Sequence, residues 1–148
     1  MKRRTAWGLA AIVAIALLAG YQTTEATDQK GQTNMGIHYV EIVTKDVEAQ
    51  IAAMEKGQVL SFGEPVADLG LARVAETPSG SLVGVRAPLA EHEAPIVRTY
   101  FEVENIAKAI EEAKATGAMV AYPPTQQGDT GTWAIYILGD AQIGLWQK

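Results

Sequence analysis

The segment VRTYFEVENIAKAIEEAKATGA, residues 97–118, decides the fold because two hydrophobic periods follow each other within it. Apolar and polar residues alternate up to Val103, which predicts a β-strand. Asn105 then stands where a helix N-cap belongs, and apolar residues recur at spacings of three and four up to Gly117, a typical C-terminal stop. The segment therefore predicts one strand that leads directly into one amphipathic helix.

The same pattern occurs earlier in the chain. GIHYVEIV, residues 36–43, predicts a strand, Asp46 stands at the cap, and an apolar stripe from Val47 to Met54 predicts a helix that closes at Gly57. Superposing the two caps gives a repeat of about 59 residues. The chain is therefore expected to contain two copies of one unit, each burying its apolar face against the other.

Further strands complete each copy. They are predicted at residues 71–76, 81–87, 119–122, 132–138 and 142–147, with short apolar pieces between residues 58 and 70. Pro123 and Pro124 are expected to end a strand and to begin a loop that runs through Asp129. The predicted fold class is α+β, built from two βαβββ modules at residues 36–90 and 91–148.

The composition excludes several classes of protein. The chain has 148 residues, 48% of them hydrophobic, and a formal net charge of −5. Scattered basic residues on an acidic chain do not suit a nucleic-acid partner. Because the chain contains 0 Cys, disulfides and thiolate metal sites are excluded.

The amino terminus predicts export. Basic residues Lys2–Arg4 precede an apolar run from Ala6 to Ala19, which is typical of a secretory signal. We interpret residues 1–20 as a signal peptide or, if it is not cleaved, an N-terminal anchor, and the polar residues 21–35 as a flexible tether. The expected location is the periplasm or bacterial cell envelope, with membrane contact only through an uncleaved N-terminal segment.

Four segments, in this order and spacing, resemble the vicinal oxygen chelate (VOC) superfamily: IVTKDVEAQI, FEVENIAKAI, ATGAMVAYPP and IYILGDAQIGLWQ. That superfamily includes glyoxalase I, bleomycin-resistance proteins and extradiol dioxygenases. The resemblance covers residues 36–148. It implies that the two modules form a cupped mixed sheet around a cavity, and that the protein forms a homodimer.

The resemblance also locates four positions at which metal-dependent members carry His or Glu ligands. Here those positions hold Tyr39, Gly84, Arg98 and Gly144. None supplies an imidazole or a carboxylate, the donors that a divalent ion requires besides thiolates and water, so we expect no metal and no cofactor. His38 is the alternative ligand if the strand register is shifted by one residue.

Both histidines have a structural interpretation. Because side chains alternate along a regular strand, His38 is expected to face away from Tyr39 and Glu41. His92 lies in the acidic segment EHEAP and is expected to be a solvated loop residue.

Seven residues are candidates for ligand binding on the inner face or walls of the cup. They are Tyr39, Glu41, Arg98, Tyr100, Glu102, Trp133 and Trp146. Arg98 is either an anchor for an anion or a partner that merely neutralises Glu41. The two tryptophans are either ligand platforms or core and dimer-interface residues.

These residues support a metal-free VOC-type module that binds a small polar or aromatic molecule between its halves. The alternative is a VOC-type lyase or isomerase, either metal-dependent with a shifted register or metal-free with Glu41 as the catalytic base and Arg98 stabilising an oxyanion. A third possibility is a dimeric interaction domain without a ligand.

Overall fold

The structure is a computed structural model, and it describes residues 36–148. The elements are β1 (Ile37–Val43), α1 (Val47–Gln58), β2 (Pro65–Val66), β3 (Ala72–Glu76), β4 (Leu82–Arg86), β5 (Ile96–Glu102), α2 (Ile106–Ala115), β6 (Met119–Gln127), β7 (Gly131–Leu138) and β8 (Ala141–Gln147), with a 3-10 turn at Ala67–Leu69. The predictions for residues 1–20 and 21–35 lie outside the described residues. Neither helix between residues 36 and 148 is long and apolar enough to span a membrane.

The eight strands between residues 36 and 148 form one mixed sheet in the order β2-β3-β4-β1-β5-β8-β7-β6. Each module pairs its first strand in parallel with its last, β1 with β4 and β5 with β8. The modules join where β1 and β5 run antiparallel at the centre of the sheet. The predicted α+β fold of two βαβββ modules is confirmed.

The two helices pack on one face of this sheet, as their apolar stripes require. Ile51 and Met54 of α1 pack against Val83 and Val85 of β4, while α2 contributes a second core cluster around Ile110. Ile51 and Ile110 are only 2% and 4% exposed, and burying a side chain of this size stabilises the fold by about 1.5–3 kcal/mol. The opposite face is left for an aromatic layer and a cavity.

The ends of the two helices agree only in part with the predicted caps and stops. Asn105 caps α2, since its Oδ1 accepts a hydrogen bond of 2.9 Å from the backbone nitrogen of Lys108. Asp46 occupies the N-cap of α1 but makes no capping bond with its side chain. Helix α1 also continues past Gly57, because the left-handed residue that ends it is Val59, with φ of 55°. The predicted stop at Gly57 was wrong.

Strand β6 differs most from the prediction. It continues through Pro123 and Pro124 to Gln127, although the sequence was expected to leave the sheet after Tyr122. Its pairing with β7 shifts register twice, once on each side of Tyr122. Because β6 is an edge strand, the proline residues need not donate ladder hydrogen bonds on their outer side.

Candidate functional site

A cavity of about 650 Å³ lies on the face of the sheet opposite the helices. The side chain of Gln127, at the end of β6, donates a hydrogen bond to the carbonyl oxygen of Asp68, so the two distant edges of the sheet approach each other across this face. The loop at residues 87–95 borders the cavity on another side. The cavity is therefore enclosed by parts of both modules.

Most of the candidate binding residues meet in this cavity. Those that line it are Tyr39, Glu41, Arg98, Tyr100, Trp133 and Trp146. Glu102 does not line it, because its carboxylate instead contacts His38 and Lys148 at the end of β5. The prediction that Glu102 belongs to the cluster inside the cup was wrong.

The floor of the cavity is a hydrogen-bonded network of Glu41, Arg86 and Arg98. At its centre is the carboxylate of Glu41, which is 6% exposed. Its Oε1 accepts from Nε of Arg86 at 2.7 Å, and its Oε2 accepts from Nη1 of Arg98 and from the Tyr100 hydroxyl, the latter at 3.1 Å. Arg86 and Arg98 are 5% and 7% exposed. Both carboxylate oxygens are therefore already occupied, and the negative charge of Glu41 is shared between two guanidinium groups.

Arg86 is a floor residue that the sequence analysis missed. It lies two residues after Gly84 on β4, and the two-residue period of a strand places both on the same face. Its guanidinium also binds Glu93 of the loop through two bonds, Nη1 to Oε2 at 2.9 Å and Nη2 to Oε1 at 2.7 Å. These bonds lower the pKa of Glu93 from its ordinary value. The ion pair ties the loop to the sheet.

Gln142 is the second missed residue. Its Oε1 accepts from Arg98 at 3.2 Å from Nε and 2.7 Å from Nη2. It lies on β8 two residues before Gly144, so the same two-residue period could have identified it. Arg98 is thus held on one side by Glu41 and on the other by an amide.

Two tyrosine rings lie over Gly84 and Gly144, two of the positions that the resemblance located. A Cβ at Gly84 would overlap the Tyr39 hydroxyl and lie 2.7 Å from its ring, and a Cβ at Gly144 would overlap the ring of Tyr100. The two rings pack together with centroids 5.5 Å apart. Burial raises the pKa of Tyr39 and of Tyr100, so both phenols remain protonated.

The Tyr39 hydroxyl is the unsatisfied group of the site. It is buried and has no hydrogen-bond partner within residues 36–148. A buried hydroxyl without a partner is costly, and such groups commonly indicate a water or a ligand atom.

The residues present do not fit the divalent ion of metal-dependent VOC proteins. The four positions supply a phenol, a guanidinium and two glycines covered by tyrosine rings. Across residues 36–148, no group of three or more His, Cys, Asp or Glu side chains is placed to hold a metal. A guanidinium repels a cation, and glycine supplies no side-chain donor.

His38 does not face the helix layer, which corrects the expectation from strand alternation. Its ring stacks on Trp146 with centroids 4.6 Å apart, and its Nδ1 donates to Glu102 at 3.2 Å. The cause is a register shift in β1 between Ile37 and Tyr39, since a bulge rotates a side chain out of the regular alternation. Burial lowers the pKa of His38.

His92 was expected to be a solvated loop residue, and it is exposed. It also borders the cavity at its mouth, beside Glu93. The sequence carried no signal for this position, because the loop conformation depends on the ion pair between Glu93 and Arg86.

The fold and the cavity together define a VOC-fold module, as the resemblance in the sequence implied. No family model and no curated protein matches the chain. Similarity is found among solved structures, three of which illustrate it.

A hypothetical protein from Bacillus halodurans C-125 is 14% identical with a TM-score of 0.61, over 78% of this chain and 95% of its own. Methylmalonyl-CoA epimerase from Mycobacterium tuberculosis is 16% identical with a TM-score of 0.59, over 79% and 91%. A variant of the Streptomyces coelicolor methylmalonyl-CoA epimerase in complex with 2-nitronate-propionyl-CoA is 14% identical with a TM-score of 0.56, over 77% and 97%. At these identities the likeness concerns the fold alone.

Proposed function

We propose that this chain is a metal-free VOC-fold module that binds a small polar or aromatic molecule in its cavity. The observation that carries the proposal is the cavity itself, whose volume of about 650 Å³ falls in the range of small-molecule sites. Its walls include Trp133, Trp146 and Ile135, and its floor is the buried network around Glu41. Apolar walls with a few fixed polar groups are typical of ligand sites.

The metal-free part of the proposal is supported by Tyr39 and Tyr100. These rings occupy the volume that side chains at Gly84 and Gly144 would need. Both glycine positions are thus filled by a side chain from the neighbouring strand, which leaves no room there for a metal-binding side chain. The arrangement supports an organic ligand in place of an ion.

Binding is tested by filling the cavity. Ile137 lines it, whereas Val97 is 65% exposed and is not part of the lining. A panel of small aromatic and polar compounds is screened against the full-length protein by ligand-observed NMR. We expect hits that are lost in Ile137→Trp and retained in Val97→Trp. Hits that survive Ile137→Trp, or a panel without any hit, would contradict the proposal.

A separate measurement tests whether the protein retains a divalent metal ion. The full-length protein is incubated with Ni, Zn, Mn or Fe(II), excess metal is removed, and bound metal per chain is measured by elemental analysis. We expect no retained metal. Near-stoichiometric metal that is lost in His38→Ala would instead support a metal-dependent enzyme with a shifted ligand register.

An isomerase or lyase is the second candidate, because Glu41 lies at the floor of the cavity and two of the structural neighbours are named epimerases. In that mechanism Glu41 would take a proton from the substrate while Arg98 stabilised the developing oxyanion. Against it, both oxygens of Glu41 already accept hydrogen bonds from arginine. A base in this state would first have to break a buried ion pair.

Homodimer formation and export are also part of the proposal. Dimerisation is supported by the apolar residues exposed along the edge hairpin, including Met119 at 63% and Leu138 at 46%. Light scattering after size-exclusion chromatography tests it, and Met119→Lys is expected to shift a dimer towards monomer. Export is tested by fractionating cells and sequencing the amino terminus of the mature protein.

A further inference from the structure

The charges at the floor of the cavity already neutralise each other. Arg86 is paired with Glu41 and Glu93, and Arg98 with Glu41 and the amide of Gln142. An anionic ligand would have to displace a carboxylate or the Gln142 amide from a buried guanidinium, and it would add an uncompensated negative charge to a site whose charges are balanced. Removing one partner of a buried pair is strongly unfavourable, so the floor does not favour an anion.

The site does not favour a cationic ligand either. Both oxygens of Glu41 accept from arginine or tyrosine, and both oxygens of Glu93 accept from Arg86, with a further bond of 2.6 Å from the backbone nitrogen of Leu89. Asp68 also lines the cavity, but it is exposed to solvent, where a single carboxylate attracts a cation only weakly.

The unpartnered polar atom at the site is the Tyr39 hydroxyl, which is packed against Gly84 and has no surface open to the cavity. It is buried without a partner among the described residues, and Tyr39 as a whole is 4% exposed. As a protonated phenol it can donate one hydrogen bond. The cavity walls around it are aromatic, and Trp133 packs with Tyr122 at a centroid distance of 5.6 Å beside the mouth.

Resting on the proposed function, we infer that the ligand is an uncharged aromatic molecule, and that its binding turns the Tyr39 ring so that the hydroxyl leaves Gly84 and donates to an acceptor on the ligand. The paired floor disfavours ligands of either charge, the aromatic walls favour a planar ring, and the unsatisfied donor favours a ligand with an acceptor. Arg98 then acts as part of a neutral floor and not as an anion anchor.

Three probes that share one ring and differ in charge test the inference. Indole-3-acetamide is neutral at pH 7.5, indole-3-acetate is an anion and tryptamine is a cation. Dissociation constants are measured by NMR titration of the full-length protein, with Ile137→Trp as the filled-cavity control. We expect the acetamide to bind at least about tenfold more tightly than either charged probe, and this binding to be lost in Ile137→Trp.

Tyr39→Phe then tests the hydroxyl. Because the hydroxyl has no protein partner in the described chain, its removal should leave the melting temperature unchanged or raise it. We expect it to weaken binding of the acetamide about fivefold to tenfold, the effect of one hydrogen bond. An unchanged affinity in Tyr39→Phe would overturn the assigned role of this hydroxyl.

The outcomes separate the inference from the proposed function. Tightest binding of indole-3-acetate or of tryptamine, lost in Ile137→Trp, overturns the inference about charge and leaves the cavity as the binding site. Failure of all three probes overturns the inference, while hits in the broader panel would still support the proposed function. If neither the three probes nor any compound of the panel binds, the inference and the proposed function are both overturned.

Discussion

The ring of Tyr39 occupies the space that a side chain at Gly84 would need. The two residues lie on adjacent parallel strands, β1 and β4, and a Cβ at position 84 would overlap the Tyr39 hydroxyl. Tyr100 and Gly144 repeat the relationship on β5 and β8. Each module thus has a tyrosine packed on a glycine at a position where the resemblance to VOC proteins locates a metal ligand.

Gly84→Ala is therefore expected to destabilise the protein by about 1–3 kcal/mol, the usual effect of overpacking a core. Urea unfolding measures the change. The matched control is Gly57→Ala, because a Cβ there meets nothing within 4 Å and the residue lies inside α1; it should stabilise by about 0.4–1 kcal/mol. Gly84→Ala should lower the free energy of unfolding by less when Tyr39 is also changed to Leu. If the effects of the two substitutions are purely additive, the proposed steric coupling is contradicted.

Glu41→Gln is expected to destabilise the fold by about 3–5 kcal/mol, because Arg86 and Arg98 would lose the buried carboxylate that they share. The double variant Glu41→Gln, Arg98→Met should recover part of the loss, since it removes the guanidinium that is left without a carboxylate, whereas Arg86 keeps its ion pair with Glu93. Chemical unfolding of the wild type, Glu41→Gln, Arg98→Met and the double variant measures the coupling. A fully stable Glu41→Gln protein would show that the carboxylate is not needed for the fold, and would favour its alternative role as a catalytic base.

Glu93→Gln should release the loop at residues 87–95, because this carboxylate holds it to Arg86 through two hydrogen bonds. We expect amide hydrogen exchange in the loop to accelerate by about tenfold, which corresponds to about 1.4 kcal/mol of local stability. Glu91→Gln is the control, since Glu91 lies in the same loop and forms no ion pair with any residue in the described range. Equal exchange rates in the two variants would exclude a specific role for Glu93.

The same ion pair predicts a pH dependence. The pKa of Glu93 is below its ordinary value of 4.5, chiefly because of the hydrogen bonds from Arg86. Its contribution to stability is therefore fully present above pH 4.5 and is lost as the pH falls through the lowered folded-state pKa. The protection factors of the wild-type loop amides, which are corrected for the intrinsic pH dependence of exchange, should decrease below pH 4.5, whereas those of Glu93→Gln should show no such additional change.

The buried imidazole of His38 leads us to expect a second pH dependence of stability, in a different pH range. Burial against Trp146 is the main cause that lowers its pKa below 6.5, so protonation opposes folding. Stability is fully present above pH 6.5 and decreases as the pH falls from 6.5 towards the lowered folded-state pKa. NMR titration in a His92→Gln background follows His38 alone, because the chain has 2 His.

Two substitutions around His38 should move its pKa in opposite directions. Glu102→Gln removes a carboxylate that raises the pKa, so the value should fall further. Lys148→Met removes a cation that lowers it, so the value should rise. Identical titrations in the three proteins would show that these neighbours do not interact with the imidazole.

The local features of the fold were predictable because they depend on neighbouring residues. The strand and helix in residues 97–118, the cap at Asn105 and the two-module α+β organisation are all confirmed. Caps, periodicity and turns act over a few residues, and a single sequence contains that information. Where a local signal failed, as at Pro123 and Pro124, the edge position of β6 in the sheet decided the outcome.

The sequence by itself determined the order of strands and helices, and it shows neither His nor Glu at the four positions that the resemblance to VOC proteins located. Only the tertiary structure decided that Tyr39 lies over Gly84, that a bulge turns His38 onto Trp146, and that Arg86 joins Glu41 to Glu93. Periodicity is written into adjacent residues, whereas ring packing, strand register and ion pairing depend on side chains that meet only when distant strands are paired.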